Sequence, residues 1–128
     1  MTSAPENTPA EGKVYPSALA ALEGIADGAS VLVAGWSGSG EPEKLLRGLA
    51  ETGVSGLTLI CQGAWVPEAG VFGVGAVVAG GQVKKMVSPM PFDPEHGGPV
   101  KDLWQSGELE LEVVPQGVLA ERLRAGGA

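Results

Sequence analysis

The stretch that decides the fold reads Val31-Leu32-Val33-Ala34-Gly35-Trp36-Ser37-Gly38-Ser39-Gly40-Glu41-Pro42. Its first four residues are apolar and predict a short buried strand, and the glycine-rich segment that follows predicts a loop. Proline is favoured in the first turn of a helix, and three leucines follow Pro42 at helical spacing: Leu45, Leu46 and Leu49. Strand, loop and helix in this order predict the first part of a βαβ unit.

The same alternation extends in both directions from this stretch. A short helix is predicted from Ser17, where Leu19, Leu22 and Ile25 recur at near-helical spacing. Further strands are predicted at residues 57–61, 83–88 and 109–114, with helices at 71–78, 101–105 and 118–124 and an irregular loop at 89–99. The pattern predicts an α/β fold with an open, mostly parallel sheet and helices on both faces.

The last predicted strand differs from the others. Leu109, Leu111 and Val113 alternate with Glu110 and Glu112, so one side of the strand is polar. A central parallel strand should be apolar on both faces. We therefore expect this strand to lie at an edge of the sheet or on a partly uncovered face.

Composition bounds the domain organisation. Residues 1–12 contain few apolar side chains, so they cannot offset the entropy of ordering and are predicted to be a disordered tail. Residues 13–128 are predicted to form one domain. No apolar run approaches the roughly 20 residues of a membrane span, and no export signal is visible, so we expect a cytoplasmic protein that does not enter a membrane.

Charge and cysteine usage exclude several classes of function. Fifteen Asp and Glu against eight Lys and Arg give a net charge of −7, which disfavours nucleic acid as a partner. The single cysteine, Cys61, excludes an intramolecular disulfide and a cysteine-cluster metal site, and we expect it to be a small buried apolar residue. His96 is the sole histidine and is expected to be solvated and without partners, so no metal site is predicted.

The glycine loop is the first candidate site, because small residues let a ligand approach the backbone and the following helix start offers unpaired N–H groups to an anion. Its spacing, Gly-x-x-Gly-x-Gly, matches neither the dinucleotide fingerprint nor a phosphate-binding P-loop. A tight turn with packing glycines therefore remains an equal alternative from the pattern alone.

Two longer motifs carry a family resemblance. The segment from Asp27 to Glu43, with its Asp-Gly, apolar run, glycine loop and Gly40-Glu41-Pro42, is similar to the signature of family I coenzyme A (CoA) transferases. The segments 80–88 and 106–128, which include Ser106-Gly107-Glu108-Leu109 and Pro115-Gln116-Gly117, resemble the A (alpha) subunit of these enzymes. The resemblance covers residues 13–128 and implies their α/β fold, shared with sugar-phosphate isomerases.

The resemblance implies a CoA-transferase subunit that moves CoA between an acyl-CoA and a 3-oxo or other short carboxylic acid. It implies a hetero-oligomer with a B subunit, whose glutamate is the nucleophile, and no cofactor apart from CoA as a substrate. Gln116 corresponds to the glutamine that helps to stabilise the oxyanion; a glutamine facing solvent in a turn is the alternative. Residues expected to contact substrate or CoA are Gly35, Trp36, Ser37, Gly38, Ser39, Gly40, Gln62 and Gly117.

The chain also departs from the family pattern. Ala34 and Trp36 replace a glycine and a phenylalanine, and Gln62-Gly63 stands where the family has two asparagines. Trp65 follows in an apparent insertion and either walls an acyl pocket or packs in a loop. The nucleophile motif Ser-Glu-Asn-Gly does not occur, and the subunit is expected to be incomplete at its carboxyl end. A non-catalytic remnant that binds acyl-CoA or acts in assembly is the main alternative, and a sugar-phosphate isomerase-like protein is a weaker one.

Overall fold

A computed structural model describes residues 13–36, 38–64 and 72–127. Four strands form one sheet in the order β1-β2-β3-β4, and every neighbouring pair is parallel. The elements in chain order are α1 (Ala18–Ala21), β1 (Ser30–Val33), α2 (Glu43–Thr52), β2 (Leu57–Cys61), α3 (Val74–Ala79), β3 (Val83–Ser88), α4 (Pro99–Ser106), β4 (Glu110–Val113) and α5 (Gln116–Gly126).

The main core lies on one face of this sheet. Each connection between neighbouring parallel strands contains a helix, and because such crossovers share one handedness, α2, α3 and α4 return over the same face. Side chains from the strands and from these helices form one buried cluster, which includes Leu46, Leu49, Leu59, Val77 and Met86. The near-continuous apolar runs of β2 and β3 are therefore explained by burial beneath this helical layer.

Helix α5 covers part of the opposite face. Its Leu119 is buried and packs with Val87 and Val114, with Ile60 partly buried against them. The predicted fold class, a parallel sheet with helices on both faces, is confirmed.

A set of ion pairs joins α5 to the sheet beneath it. Arg122 Nη1 lies 2.6 Å from Glu112 Oε1. Lys85 Nζ lies 3.0 Å from a carboxylate oxygen of Glu110 and 3.1 Å from one of Glu112. Interaction with Arg122, and then with Lys85, lowers the pKa of the Glu112 carboxyl. Arg122 thus has a partner on β4, whereas its position in the sequence suggested only compensation of the helix dipole.

The rest of the second face carries exposed apolar side chains. Leu32 on β1 is 56% exposed and Val113 on β4 is 62% exposed, while Leu123 on α5 is also exposed. Strand β4 is an edge strand with polar and apolar residues in alternation, as its sequence predicts. The sheet is therefore well covered on one side and only partly covered on the other.

Helix boundaries account for the differences from the sequence prediction. Helix α4 begins at Pro99, because proline is tolerated at the first helical position, so the predicted start at residue 101 was wrong. Helix α5 begins at Gln116, where the N–H of Leu119 donates to the Pro115 carbonyl at 2.9 Å. Gln116 and Gly117 therefore lie in the first turn of a helix and not in a separate turn before residue 118. Helix α3 begins at Val74; residue 71, the predicted start, lies outside the described residues.

No helix in the three described ranges is long and apolar enough to cross a bilayer. The predicted tail at residues 1–12 lies outside those ranges.

Candidate active site

A cleft of about 450 Å³ lies at the carboxyl ends of β1 and β2, beside α5. Ligands of open α/β sheets bind at this end of the strands, because the loops that leave the sheet there can surround them. The residues that line the cleft are Leu32, Val33, Ala34, Gly35, Trp36, Cys61, Gln62, Gln116, Leu119 and Leu123.

Two side-chain amides reach this cleft from separate parts of the chain. Gln62 follows the last residue of β2, and Gln116 is the first residue of α5. The Oε1 atom of Gln62 is buried and has no hydrogen-bond partner among the described residues. A buried amide oxygen without a partner costs about 1–3 kcal/mol, and a ligand in the cleft can remove that cost by donating a hydrogen bond.

The remaining lining is apolar or backbone, and none of the ten residues carries a formal charge. Leu32, Leu119 and Leu123 form an apolar side of the cleft, and Trp36 stands at the glycine loop with 48% of its surface exposed. The described lining can therefore bind an apolar group and donate neutral hydrogen bonds, but it supplies no carboxylate and no ammonium or guanidinium group.

The glycine loop is closed by its own hydrogen bonds. Trp36 and Ser39 exchange two backbone hydrogen bonds of 2.9 and 2.8 Å. The Gly38 N–H donates to Glu41 Oε1 at 3.1 Å, and the Glu43 N–H donates to the Glu41 carbonyl at 2.9 Å. The expectation that the N–H groups near Gly38 and at the start of α2 are unpaired is thus wrong for Gly38 and Glu43, because Glu41 accepts from both.

Gly35 requires its lack of a side chain. Its φ angle is +122°, and a Cβ atom placed on it would lie 2.6 Å from Glu41 Cγ and 2.8 Å from the Glu41 backbone nitrogen. A larger residue would force the two ends of the loop apart. The glycine therefore serves close packing in the loop and also leaves its backbone open to the cleft.

Cys61 lies in the wall of the cleft next to Gln62. It is 2% exposed, and burial, with a smaller contribution from the negative charge of Glu41, raises the pKa of its thiol to about 12. The thiol is therefore protonated at neutral pH and is not a nucleophile, since the thiolate is the reactive form. This agrees with the prediction of a buried, structural cysteine.

The family model described as "Coenzyme A transferase" matches residues 15–128. The chain belongs to the coenzyme A transferase family. The family resemblance found in the two sequence motifs is confirmed.

Individual relatives agree with this family, and each is the A subunit of its enzyme. The chain is 40% identical over 116 residues to that of 3-oxoadipate CoA-transferase from Pseudomonas putida, which covers 91% of this chain and 48% of the relative. It is 45% identical over 120 residues to that of succinyl-CoA:3-ketoacid coenzyme A transferase from Xanthomonas campestris pv. campestris, covering 93% and 47%. That of a probable succinyl-CoA:3-ketoacid coenzyme A transferase from Bacillus subtilis is 38% identical, covering 91% and 47%. The chain thus spans about half the length of these relatives.

Within this CoA-transferase chain, the structure brings four of the predicted site residues to the cleft: Gly35, Trp36, Gln62 and Gln116. Gly38, Ser39, Gly40 and Gly117 are not among the lining residues. Ser37 and Trp65 lie outside the described residues. The chemical roles assigned to all of these residues stay predictions.

Sequence reasoning missed the apolar side of the cleft. Leu119 and Leu123 are four residues apart on α5, and this spacing indicates a shared helix face, but nothing in the sequence shows that the face lies beside β1. Glu41 was quoted within the glycine-loop signature without a role, although its carboxylate makes two hydrogen bonds to backbone N–H groups.

His96 has a close partner. Its Nδ1 atom lies 2.6 Å from Asp93 Oδ2, so the expectation that it has no partner was wrong, although its side chain is exposed. The pair lies in the turn that joins Asp93 to Gly97. Among the described residues there is no group of three or more His, Cys, Asp and Glu side chains that could hold a metal ion.

Proposed function

We propose that this chain forms the A-subunit side of a CoA-transferase active site, in which CoA moves between an acyl-CoA and a 3-oxo or other short carboxylic acid. The observation that carries the proposal is that Gly35, Gln62 and Gln116 line one cleft at the carboxyl ends of the strands. The names of the relatives, which specify 3-oxoadipate and a 3-ketoacid, support this class of substrate.

A partner B subunit supplies the nucleophile in this proposal. None of the residues described around the cleft is a carboxylate, and the thiol of Cys61 is protonated. In the mechanism implied by the family, a B-subunit glutamate attacks the thioester carbonyl of the acyl-CoA. The C–S bond breaks, CoA leaves as a thiolate, and the acyl group forms a mixed anhydride with the glutamate.

The second half of the exchange uses the same cleft. The CoA thiolate attacks the glutamyl carbonyl of the anhydride, which releases the first carboxylate and leaves a glutamyl-CoA thioester. The acceptor carboxylate then attacks this thioester, and the same two steps in reverse give the new acyl-CoA and the free glutamate. Each attack passes through a tetrahedral oxyanion, so donors that face that oxygen lower every barrier.

Gln116 is suited to be one of these donors. It stands at the first position of α5, and its amide can turn its N–H group toward an oxyanion at the mouth of the cleft. The amino-terminal end of an eleven-residue helix also favours negative charge beside it. Loss of one comparable oxyanion donor costs about 3–4 kcal/mol in transition-state stabilisation.

The apolar side of the cleft has a complementary part in substrate binding. Leu32, Leu119 and Leu123 can pack against the hydrocarbon portion of a short acyl group, while the amides hold its polar end. Gln62, whose Oε1 lacks a partner among the described residues, is placed to accept a hydrogen bond from the substrate or from the pantetheine arm of CoA.

A second candidate function is an assembly module that binds acyl-CoA without turning it over. The exposed apolar side chains Leu32, Val113 and Leu123 favour it, because exposed apolar patches mark surfaces where polypeptides associate. Both candidates predict a hetero-oligomer, but only the first predicts that the chain changes the chemistry at the partner's glutamate.

Reconstitution separates the two. The purified chain is mixed with the B subunit of a CoA-transferase and with a separately produced carboxy-terminal half of a relative of this chain, and transfer of CoA from succinyl-CoA to acetoacetate is followed. The glutamyl-CoA thioester is trapped with borohydride and located by mass spectrometry. We expect transfer and trapping only when this chain is present. Binding of acyl-CoA without either signal supports the assembly module and contradicts the enzyme.

A further inference from the structure

The carboxylate of Glu41 joins the glycine loop to a distant part of the chain. One oxygen, Oε1, accepts the Gly38 N–H at 3.1 Å, and the other, Oε2, accepts the Val74 N–H at 3.0 Å. Val74 is the first residue of α3, whose preceding residue, Gly73, has no side chain with which to cap the helix. One side chain therefore satisfies two backbone donors that would otherwise be left without partners.

The same side chain also sets the spacing inside the loop. Gly35 packs so closely on Glu41 that a Cβ at position 35 would lie 2.6 Å from Glu41 Cγ. Glu41 thus contacts the beginning of the loop by packing and its middle, at Gly38, by a hydrogen bond. Movement of Glu41 would release both contacts at once.

This arrangement matters for the cleft because Gly35 and Trp36 form part of its wall. Glu41 itself is not among the lining residues, so any effect on a ligand passes through the loop. Its negative charge also contributes to the raised pKa of Cys61, which places the carboxylate behind the wall that Cys61 and Gly35 share.

We propose that Glu41 is a positioning residue that holds the glycine loop in the shape that binds acyl-CoA. Its effect on turnover rests on the proposed function, but its effect on the loop does not. Glutamine at this position keeps the size of the side chain and one acceptor oxygen, while its NH₂ group faces a backbone N–H and cannot accept from it. Glu41→Gln therefore removes one of the two hydrogen bonds and loosens the loop.

Fluorescence of Trp36 tests the loop without any enzyme assay. In a background with Trp65→Phe and Trp104→Phe, Trp36 is the one remaining tryptophan of the three in the chain. We expect the acrylamide quenching constant of Trp36 to rise about twofold in Glu41→Gln, since a looser loop exposes the ring more fully. Glu51→Gln is the matched control, because it removes the same charge from an exposed site on α2 and should leave quenching unchanged.

Turnover provides the second readout. In the reconstituted transferase, Glu41→Gln should raise the KM for acyl-CoA by about tenfold and change kcat less, because the variant disturbs binding and leaves the reacting groups in place. Loss of Gln116 should lower kcat instead. If the assembly has no activity at all, the proposed function fails while the quenching result still decides the role of Glu41.

A wild-type measurement guards against a variant that folds poorly. Hydrogen exchange followed by NMR should show protected amides at both Gly38 and Val74. Free exchange at Gly38 would overturn the proposal. It would also be overturned if Glu41→Gln lowered the free energy of unfolding and left both the quenching of Trp36 and the KM unchanged, since Glu41 would then only stabilise α3.

Discussion

Gln62 and Gln116 present their side chains to one cleft, although the first follows β2 and the second begins α5 after the far edge strand. Parallel strands all end at the same edge of their sheet, so residues that follow β2 and β4 are brought to one side of the molecule. Helix α5 then turns back over the second face and places Leu119 and Leu123 beside the two amides. The cleft is thus a consequence of the strand direction and of the packing of α5 on that face.

Replacement of Gln62 should show that its amide is kept for function at a cost in stability. Gln62→Leu removes a buried oxygen that has no partner in the described part of the chain, so we expect the free energy of unfolding to rise by about 1 kcal/mol. Urea unfolding measures this change. Gln105→Leu, at an exposed position of α4, is the control and should stay within about 0.5 kcal/mol of wild type. A marked loss of stability in Gln62→Leu would mean that the amide has a structural partner.

Two glycine substitutions should have opposite effects. Gly35→Ala places a Cβ against Glu41 at a φ angle of +122°, and we expect a loss of more than about 1 kcal/mol. Gly117→Ala lies in the first turn of α5 with nothing within 4 Å of the added Cβ, so the better helix former should stabilise the protein by up to about 1 kcal/mol. Thermal unfolding of the two variants tests this. A stabilising Gly35→Ala would contradict the close packing of the loop.

The buried thiol should make stability depend on pH in the alkaline range. The pKa of Cys61 is raised from 9.0 to about 12 in the folded chain, mainly by burial. The unfolded chain therefore releases this proton first, and the contribution to stability is complete below pH 9 and is lost as the pH rises toward 12. We expect the wild type to lose about 1.4 kcal/mol per pH unit more than Cys61→Ala in this window. Urea unfolding at several pH values measures both slopes, and equal slopes would mean that the thiol ionises as readily in the folded chain.

Much of the fold could be predicted from local patterns. The run Val31-Leu32-Val33-Ala34 and the glycines after it correctly indicate β1 and its loop, and the alternation of Glu110 and Glu112 with apolar residues correctly indicates an edge strand. These features depend on residues that are neighbours in sequence, so their periodicity reports them directly.

Contacts between distant residues could not be predicted in this way. The hydrogen bond from Val74 to Glu41, the pair of Arg122 with Glu112, and the bonds from the Gln82 amide to the Leu49 and Val54 carbonyls all join different elements. No spacing rule connects such residues, because their approach depends on how the helices pack on the sheet. The family resemblance assigned a role to Gln116, but only the fold shows that Gln62 lies in the same cleft.

The central claim is that the Gln116 amide acts on the transition state of CoA transfer. The most direct test compares wild type with Gln116→Ala in the reconstituted transferase, with Gln105→Ala as a control for loss of an exposed glutamine. Gln116 is exposed, so its replacement should leave folding intact. The account predicts a fall in kcat of roughly 10²–10³-fold with little change in KM. An unchanged kcat in Gln116→Ala would contradict it.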